Sequence, residues 1–301
     1  MTVELKVGFV GLGRMGLRMV ARVLKAHEVV VYDINPLAVA ESGELGAEKV
    51  NSLEELARAL PPPRVIWIMV PAGAPVETVI DGLEPALGGG DVLIDGGNSH
   101  YKDSVRRAER LKGRGVSLLD VGTSGGLEGA EKGVNLTVGG SEEAYQAVIP
   151  ILESLARPDG WLHCGPSGSG HYVKMVHNGI EYAMLQALGE GFEMLRSAPY
   201  ELDMAAIARD WNNGCVIRSW MLELLGDALE GDPGLDTLTG EVGGGETGRW
   251  MVEAAMELGV PTPSIALSLL MRYRSRQEDT FAGRVVAAVR REFGGHAVKE
   301  A

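Results

Sequence analysis

The sequence predicts a doubly wound, mostly parallel α/β domain over 1–168, followed by an all-α domain over 169–301. Three observations predict it. Short apolar strands alternate with longer amphipathic stretches from Leu5 to Leu155, a glycine-rich turn follows the first strand directly, and beyond Cys164 to Gly170 (CGPSGSG) only helical periodicity remains.

A strand starting at Leu5 leads through the glycine-rich turn into a helix ending near Leu24. A second strand, Glu28 to Asp33, completes a βαβ opening. Further compact strands are expected at Val65 to Met69, Val92 to Ile94 and Ser117 to Asp120, with Ala144 to Leu155 as a late helix. Strands of this kind, each followed by a longer polar or amphipathic stretch, imply helices on both faces of the sheet. The all-α part opens with a long helix from about His171 to Ser197, in which Ile180, Met184, Leu188 and Leu195 recur at helical steps and should face a core. Gly179, Gly189 and Gly191 each weaken that helix by roughly 1 kcal/mol relative to alanine, so packing must hold it. Helices are then expected at Met204 to Trp211, Ile217 to Leu229, Arg249 to Leu258, Ser264 to Arg276 and Thr280 to Phe293, with Gly231 to Gly245 as a mobile loop.

With 301 residues, 45% of them apolar and 23% charged, the chain can bury a sizeable core in two domains. The net charge of −13 argues against a nucleic-acid partner, since phosphate backbones are held by basic patches. The apolar run Val65 to Val70 (VIWIMV) falls far short of the roughly 18 residues of a membrane helix. Glu4 sits where a signal peptide would be basic then apolar. A soluble, cytoplasmic protein is expected, with no membrane partner. Cys164 and Cys215 form no CxxC pair or Cys/His cluster, so neither a disulfide framework nor a zinc site is indicated and both are expected as buried thiols.

Gly11, Gly13 and Gly16 (GLGRMG) follow a strand and open a helix, the context that separates a dinucleotide-binding G-x-G-x-x-G from an ordinary tight turn. The first glycine makes the turn, the second admits a pyrophosphate and the third lets helix and strand pack closely, as in a Rossmann domain. Helix N-terminal amides then hold the phosphates. Asp33, 22 residues after Gly11, can accept hydrogen bonds from the adenosine ribose. A 2′-phosphate there would meet a like charge, which can cost several kcal/mol. No Arg or Lys between Ile34 and Ala40 would neutralise it. NAD is therefore the expected cofactor, with NADP less favoured.

In HYVKMVHNGIEY, Lys174, His177, Asn178 and Glu181 fall at i, i+3, i+4 and i+7, on one helix face. Such a stripe can be merely solvated. Against that, the flanking Tyr172, Val173, Met175, Val176 and Ile180 leave little surface suited to water. His177 and Glu181 could be half of a metal site, but no third ligand is suitably spaced, so no metal is expected.

Three strings, DGGNSHYKDS at Asp95 to Ser104, GTSGGLEGA at Gly122 to Ala130 and GSGHYVKMVHNGIEY at Gly168 to Tyr182, carry a resemblance to a known family. From Gly8 to about His296 the chain resembles decarboxylating 6-phosphogluconate dehydrogenases of the short, single-repeat type, within the β-hydroxyacid dehydrogenase superfamily. The DGGN string and the HNGIEY continuation separate that family from its relatives. The resemblance implies oxidative decarboxylation of 6-phosphogluconate to ribulose 5-phosphate and carbon dioxide, in the pentose phosphate pathway or gluconate use. It implies that Lys174 removes the C3 hydroxyl proton and that Glu181 protonates C1 of the enediol. A base role requires Lys174 to lose its proton near neutral pH, through burial and neighbouring cations. By the same matching, Asn98, Ser124, Gly125, Gly126, His177, Asn178 and Tyr182 hold the sugar acid, and Arg272 binds its phosphate bidentately.

Gly11, Gly13, Arg14, Met15, Gly16, Asp33, Val70 and Asn98 are expected against the cofactor. Arg290 and His296 resemble a C-terminal pair donated to the neighbouring subunit's site, implying a homodimer or homotetramer; a solvated arginine on the last helix is the alternative. The chain departs from the long-chain pattern at Gly245, where those members carry a lysine before G-T-G-K-W. One phosphate contact is then absent or comes from elsewhere, Arg249 being the candidate. Other β-hydroxyacid dehydrogenases, a non-catalytic NAD-binding protein and an imine reductase-like relative remain alternatives.

Overall fold

β1 (Lys6–Val10) is buried along nearly its whole length, as expected of an apolar strand covered on both faces. The computed structural model describes residues 4–295 and 297–299. β2 (Glu28–Tyr32) and β3 (Glu48–Lys49) lie to one side of β1, and β4 (Val65–Ile68), β5 (Val92–Asp95), β6 (Ser117–Ser124), β7 (Val134–Gly139) and β8 (Ala156–Gly165) to the other. The order is β3-β2-β1-β4-β5-β6-β7-β8, and every neighbouring pair is parallel except β6 and β7. Chain order reverses between β1 and β4, which opens a crevice at the carboxyl ends of the strands.

Alternate residues of the strands divide the core. Val7, Phe9, Val29, Val31, Trp67 and Ile94 pack against α1 (Gly16–Val23) and α7 (Glu142–Leu155). Val30, Ile66, Ile68 and Leu93 pack on the other face with residues of α3 (Leu53–Ala59), α4 (Ala74–Leu83) and α5 (Tyr101–Lys112). Side-chain oxygens fix helix starts: Asn35 caps α2 (Pro36–Glu44), Ser52 caps α3 and Ser141 caps α7. α6 (Gly126–Lys132) follows β6.

By backbone contacts the chain divides into two compact units, Met1–His177 and Asn178–Ala301. α8 (Ser169–Arg196) is continuous through that boundary. The second unit holds the rest of α8 with α9 (Met204–Asn212), α10 (Trp220–Gly231), α11 (Glu246–Leu258), α12 (Pro263–Arg274) and α13 (Phe281–Gly294). Its core gathers Phe192, Ala208, Leu222 and Leu229.

The structure corrects several expectations. Leu188 and Leu195 do pack on the second core, but Ile180 and Met184 are exposed. At their level the packed face of α8 passes instead through Gly179, where a Cβ would lie 2.8 Å from Met251 Cγ. Val173 is also exposed, so the residues flanking the polar stripe are less shielded than their apolarity suggests. Cys164 and Cys215 are half-buried, not buried. The strand at Ser117 extends to Ser124, and the helix placed at Ile217 begins at Trp220. β7 and β8 were not foreseen. β8 reads ARPDGWLHCG, with Pro, Asp and Gly and little apolar alternation, because it is a half-exposed edge strand with an irregular register. The segment between α10 and α11 is irregular, yet Arg272 Nη1 and Arg276 donate to the Gly243 and Val242 carbonyls and hold its end.

Candidate active site

Strands β1, β2, β4, β5 and β6 run parallel, so Gly11, Asp33, Val70, Asn98 and Ser124 come from the same edge of the sheet. Gly11 has φ +98°, and a Cβ on it would stand 2.3 Å from the Met69 carbonyl oxygen. A Cβ on Gly16 would stand 2.0 Å from the Gly11 oxygen, whereas Gly13 faces open space. Turn, close packing and open approach are thus divided among the three glycines as a pyrophosphate-binding loop requires. No side chain caps α1, and although Leu17 N–H donates to the Gly13 carbonyl at 3.1 Å, the helix start faces the glycine loop with its positive dipole end toward an anion. Arg14 is exposed beside the loop, and Met15 packs partly on the core below it.

Asp33 is half-buried at the end of β2. Its Oδ2 accepts from Leu12 N–H at 2.6 Å and its Oδ1 from Asn35 N–H at 2.7 Å. Each oxygen keeps a further lone pair, so the carboxylate can brace the glycine loop and still accept from a ribose hydroxyl. The loop and Asp33 therefore fit a dinucleotide.

The loops after β4 and β5 abut. A Cβ on Gly97 would lie 2.8 Å from the Val70 carbonyl oxygen. Asn98 is exposed at the tip of the second loop, whose conformation is set from below by buried Asp95: Oδ1 accepts from Gly97 N–H at 3.2 Å and Oδ2 from the Ser99 hydroxyl at 2.7 Å. Thr123 donates to the Gly96 carbonyl at 3.1 Å and ties the loop to β6.

β6 delivers Ser124, followed by Gly125 at φ +124° and Gly126 at φ +58°, a turn that favours glycine at both positions. α8 lies against β6 with almost no side chain between. A Cβ on Gly122 would stand 2.4 Å from Lys174 Cβ, and one on Gly170 would stand 2.2 Å from the Asp120 carbonyl oxygen. The buried Asp120 carboxylate accepts from Gly168 N–H at 2.6 Å and His171 N–H at 2.9 Å, anchoring the start of α8. That close seating lets Lys174 Nζ donate to Ser124 Oγ at 2.5 Å, with His177 Nδ1 3.4 Å from the same nitrogen.

In the second unit Asn178 and Glu181 are half-buried on α8, and Tyr182 is buried. The Arg272 guanidinium carbon lies 3.6 Å from the Tyr182 ring centroid, and Nη1 donates to the Gly243 carbonyl at 3.0 Å. Tyr182 Oη is 3.3 Å from Thr247 Oγ1. Gly245 has φ +121° and caps α11, while Arg249 is exposed and 3.6 Å from Glu253. Arg290 is exposed on α13; His296 lies outside the described residues. Among the described residues no group of three or more His, Cys, Asp or Glu could hold a metal ion. Nor is any helix there long and apolar enough to cross a membrane.

Residues 6–170 match the family model described as the NAD binding domain of 6-phosphogluconate dehydrogenase. Residues 170–292 match that of the 6-phosphogluconate dehydrogenase C-terminal domain. The chain belongs to the 6-phosphogluconate dehydrogenase family. An NAD(+)-dependent, decarboxylating 6-phosphogluconate dehydrogenase of Haloferax volcanii is 49% identical over 297 residues, 98% of either chain. The NAD(+)-dependent, decarboxylating 6-phosphogluconate dehydrogenase of Bacillus subtilis is 36% identical, over 94% of this chain and 64% of that one. Among solved structures, the 6-phosphogluconate dehydrogenase of Plasmodium falciparum, described with its cofactor NADP+ and with 6-phosphogluconate, superposes with a TM-score of 0.83 at 28% identity. It is matched over 98% of this chain and 66% of that chain.

Within this member of the family, three side chains near the site escaped sequence reasoning. Asp120 and Arg107 are buried polar groups whose partners lie on other elements of the fold, so neither a motif nor a period marks them. Thr247 could have been noticed as a hydroxyl at a helix start after a glycine run.

Proposed function

We propose that this chain oxidises and decarboxylates 6-phosphogluconate to ribulose 5-phosphate, with NAD as hydride acceptor. The observation that carries the mechanism is the seating of Lys174 against Ser124 in the G-T-S-G-G turn, which directs the amine toward the carboxyl edge of the sheet. Gly11, Gly13, Arg14, Met15, Gly16, Asp33, Val70 and Asn98 hold the dinucleotide, and Asp33 disfavours a 2′-phosphate by like charge. A bound NAD would supply the hydride acceptor for oxidation at C3 of the sugar acid.

Lys174 as the neutral amine takes the C3 hydroxyl proton, and Ser124 and His177 keep its Nζ in place. C3 becomes a ketone. The protonated lysine then returns its proton to the ketone oxygen as the bond to the carboxyl carbon breaks, its electron pair flowing toward that oxygen and carbon dioxide leaving. An enediol results. Glu181 protonates the carbon that becomes C1 of the product, while the hydroxyl on the adjacent carbon, the one Lys174 had protonated, returns its proton to the neutral Lys174 amine and becomes the product ketone. Each positioned acid or base is worth about 10² to 10⁴ in rate. Asn98, Ser124, Gly125, Gly126, His177, Asn178 and Tyr182 orient the hydroxyls and carboxylate. Arg272, pre-set on the Tyr182 ring, grips the phosphate.

The dinucleotide role falls to 1–168 and the substrate and dimerisation roles to 169–301. The enzyme works in the cytoplasm as a homodimer or homotetramer in which Arg290 and His296 complete the neighbouring subunit's site. Exposed Phe281, Val285 and Val289 at four-residue steps on α13 support such a contact.

The deciding experiment pairs 6-phosphogluconate and gluconate with NAD and NADP, following reduced cofactor and carbon dioxide together. Equal yields of both products with 6-phosphogluconate and NAD are expected. Reduced cofactor without carbon dioxide, or equal use of gluconate, would refute the assignment.

A further inference from the structure

We propose that Arg107 is a positioning residue for this reaction, setting the loop after β4, which carries Val70, against the loop after β5, which carries Asn98. The proposal rests on the functional assignment of those two residues given above. Helix α5 carries Arg106, Arg107 and Arg110; the side chains of the first and last are 56% and 38% exposed, whereas that of Arg107 is 1% exposed. An arginine so withdrawn from water must have its donors met.

Its donors reach both loops. Nη2 donates to the Gly73 carbonyl at 3.3 Å, where the β4–α4 loop ends with Gly73 at φ +85°. Nη1 donates to Asp95 Oδ2 at 3.2 Å and to Ser99 Oγ at 3.3 Å, on either side of Asn98. Nε donates to Glu77 Oε1 at 2.9 Å, in the first turn of α4. Asp95 passes the restraint on, since its Oδ1 accepts from Gly97 N–H, the amide just before Asn98. Gly97 in turn has no room for a Cβ against the Val70 carbonyl. The two loops are held at backbone contact by one planar fork.

A buried ion pair is by itself weak evidence for stability, because well-packed apolar groups often serve as well. What the guanidinium adds is direction, four donor contacts in fixed geometry, which the single ammonium of lysine cannot reproduce. Arg107 touches neither reacting atom. Its effect falls on how well the groups that do are aligned, where an error of about 1 Å can lower a rate about 10²-fold.

The test is steady-state kinetics of Arg107→Lys beside the wild type, with folding checked by thermal melting. The variant is expected to lose about 10-fold or more in kcat at a temperature where it is folded, with KM for 6-phosphogluconate and for NAD each moving less than about threefold. Ser99→Ala, which removes one acceptor and leaves the charges paired, should lower kcat by about 2- to 10-fold. A folded Arg107→Lys with wild-type kcat, or one whose loss lies wholly in KM, overturns the proposal. Should that variant not fold, an unchanged kcat in Ser99→Ala overturns it. Wild-type protein inactive on 6-phosphogluconate and NAD would instead defeat the functional assignment.

Discussion

Asp33 accepts a hydrogen bond from the Leu12 amide at 2.6 Å, so the carboxylate assigned to the adenosine ribose also closes the glycine loop. Cofactor preference and loop shape therefore rest on one side chain. Asp33→Asn can accept at only one of the two amides now served, Leu12 and Asn35. A hydrogen bond to a charged group is worth about 1.5–3 kcal/mol, so KM for NAD should rise roughly 10- to 100-fold. The ratio of kcat/KM for NADP over NAD should rise as well, because the like charge is gone. An unchanged ratio would remove Asp33 from cofactor selection.

Lys174→Ala should lower kcat by at least about 10²-fold while NAD still binds, measured by calorimetric titration. With Lys174 proposed to act as a neutral-amine base, log kcat of the wild type should climb with pH along an acid limb that the variant lacks. Glu181→Gln should slow both oxidation and the protonation at C1. Near-normal turnover in either variant takes that residue out of the mechanism.

How much of this was legible in the sequence depended on range. The glycine loop could be read because its strand, turn and helix are contiguous, and the stripe of Lys174, His177, Asn178 and Glu181 because helical spacing is local. Roles for those residues came from resemblance, not from spacing. The partners that seat Lys174 were not legible: Gly122 and Ser124 lie some 50 residues earlier and meet it only once β6 and α8 pack. Arg107 was hidden among other basic residues of a polar helix, since its burial depends on loops contributed by β4 and β5. β8 was missed because an edge strand need not alternate.

The stacking of Arg272 on Tyr182 yields a prediction about affinity. Arg272→Ala should raise KM for 6-phosphogluconate at least about 10-fold, the range of a charge-assisted bidentate contact, and leave KM for NAD unchanged. Arg272→Lys should rescue little, because an ammonium neither stacks as a plane nor binds phosphate bidentately. If KM for 6-phosphogluconate does not move, the substrate is not held by its phosphate at this residue.

Acid should weaken the α4–α5 contact through Glu77. Burial raises its pKa, but hydrogen bonds and charge from Arg106 and Arg107 outweigh that and hold it below the usual carboxylate range. A depressed folded pKa means the unfolded chain takes up the proton first. The stabilisation is therefore complete above the unfolded value of about 4.3 and is lost as pH falls through the folded value. Glu77→Gln should melt lower than wild type near neutral pH, and the gap in Tm should narrow steadily below about pH 4. A gap independent of pH would break the link.

By resemblance Gly245 stands where long-chain members carry a lysine, and the backbone there explains why introducing one should fail. Its φ of +121° is a conformation that side-chain-bearing residues rarely adopt, and a Cβ would lie 3.4 Å from Tyr273 Cε1 and 3.5 Å from Leu269 Cδ1. Backbone strain of this kind costs about 1–3 kcal/mol. For a domain of this size that corresponds to a Tm lower by several degrees, at about 2–4 °C per kcal/mol. Gly245 also caps α11 beside the carbonyls that Arg272 and Arg276 hold, so straining it loosens the loop that supports Arg272, the arginine proposed to bind the phosphate. Gly245→Lys should therefore melt lower and bind 6-phosphogluconate no more tightly, whatever charge it adds. A variant of undiminished Tm with a lower KM would show that the α11 cap accepts a side chain and that the missing lysine limits affinity.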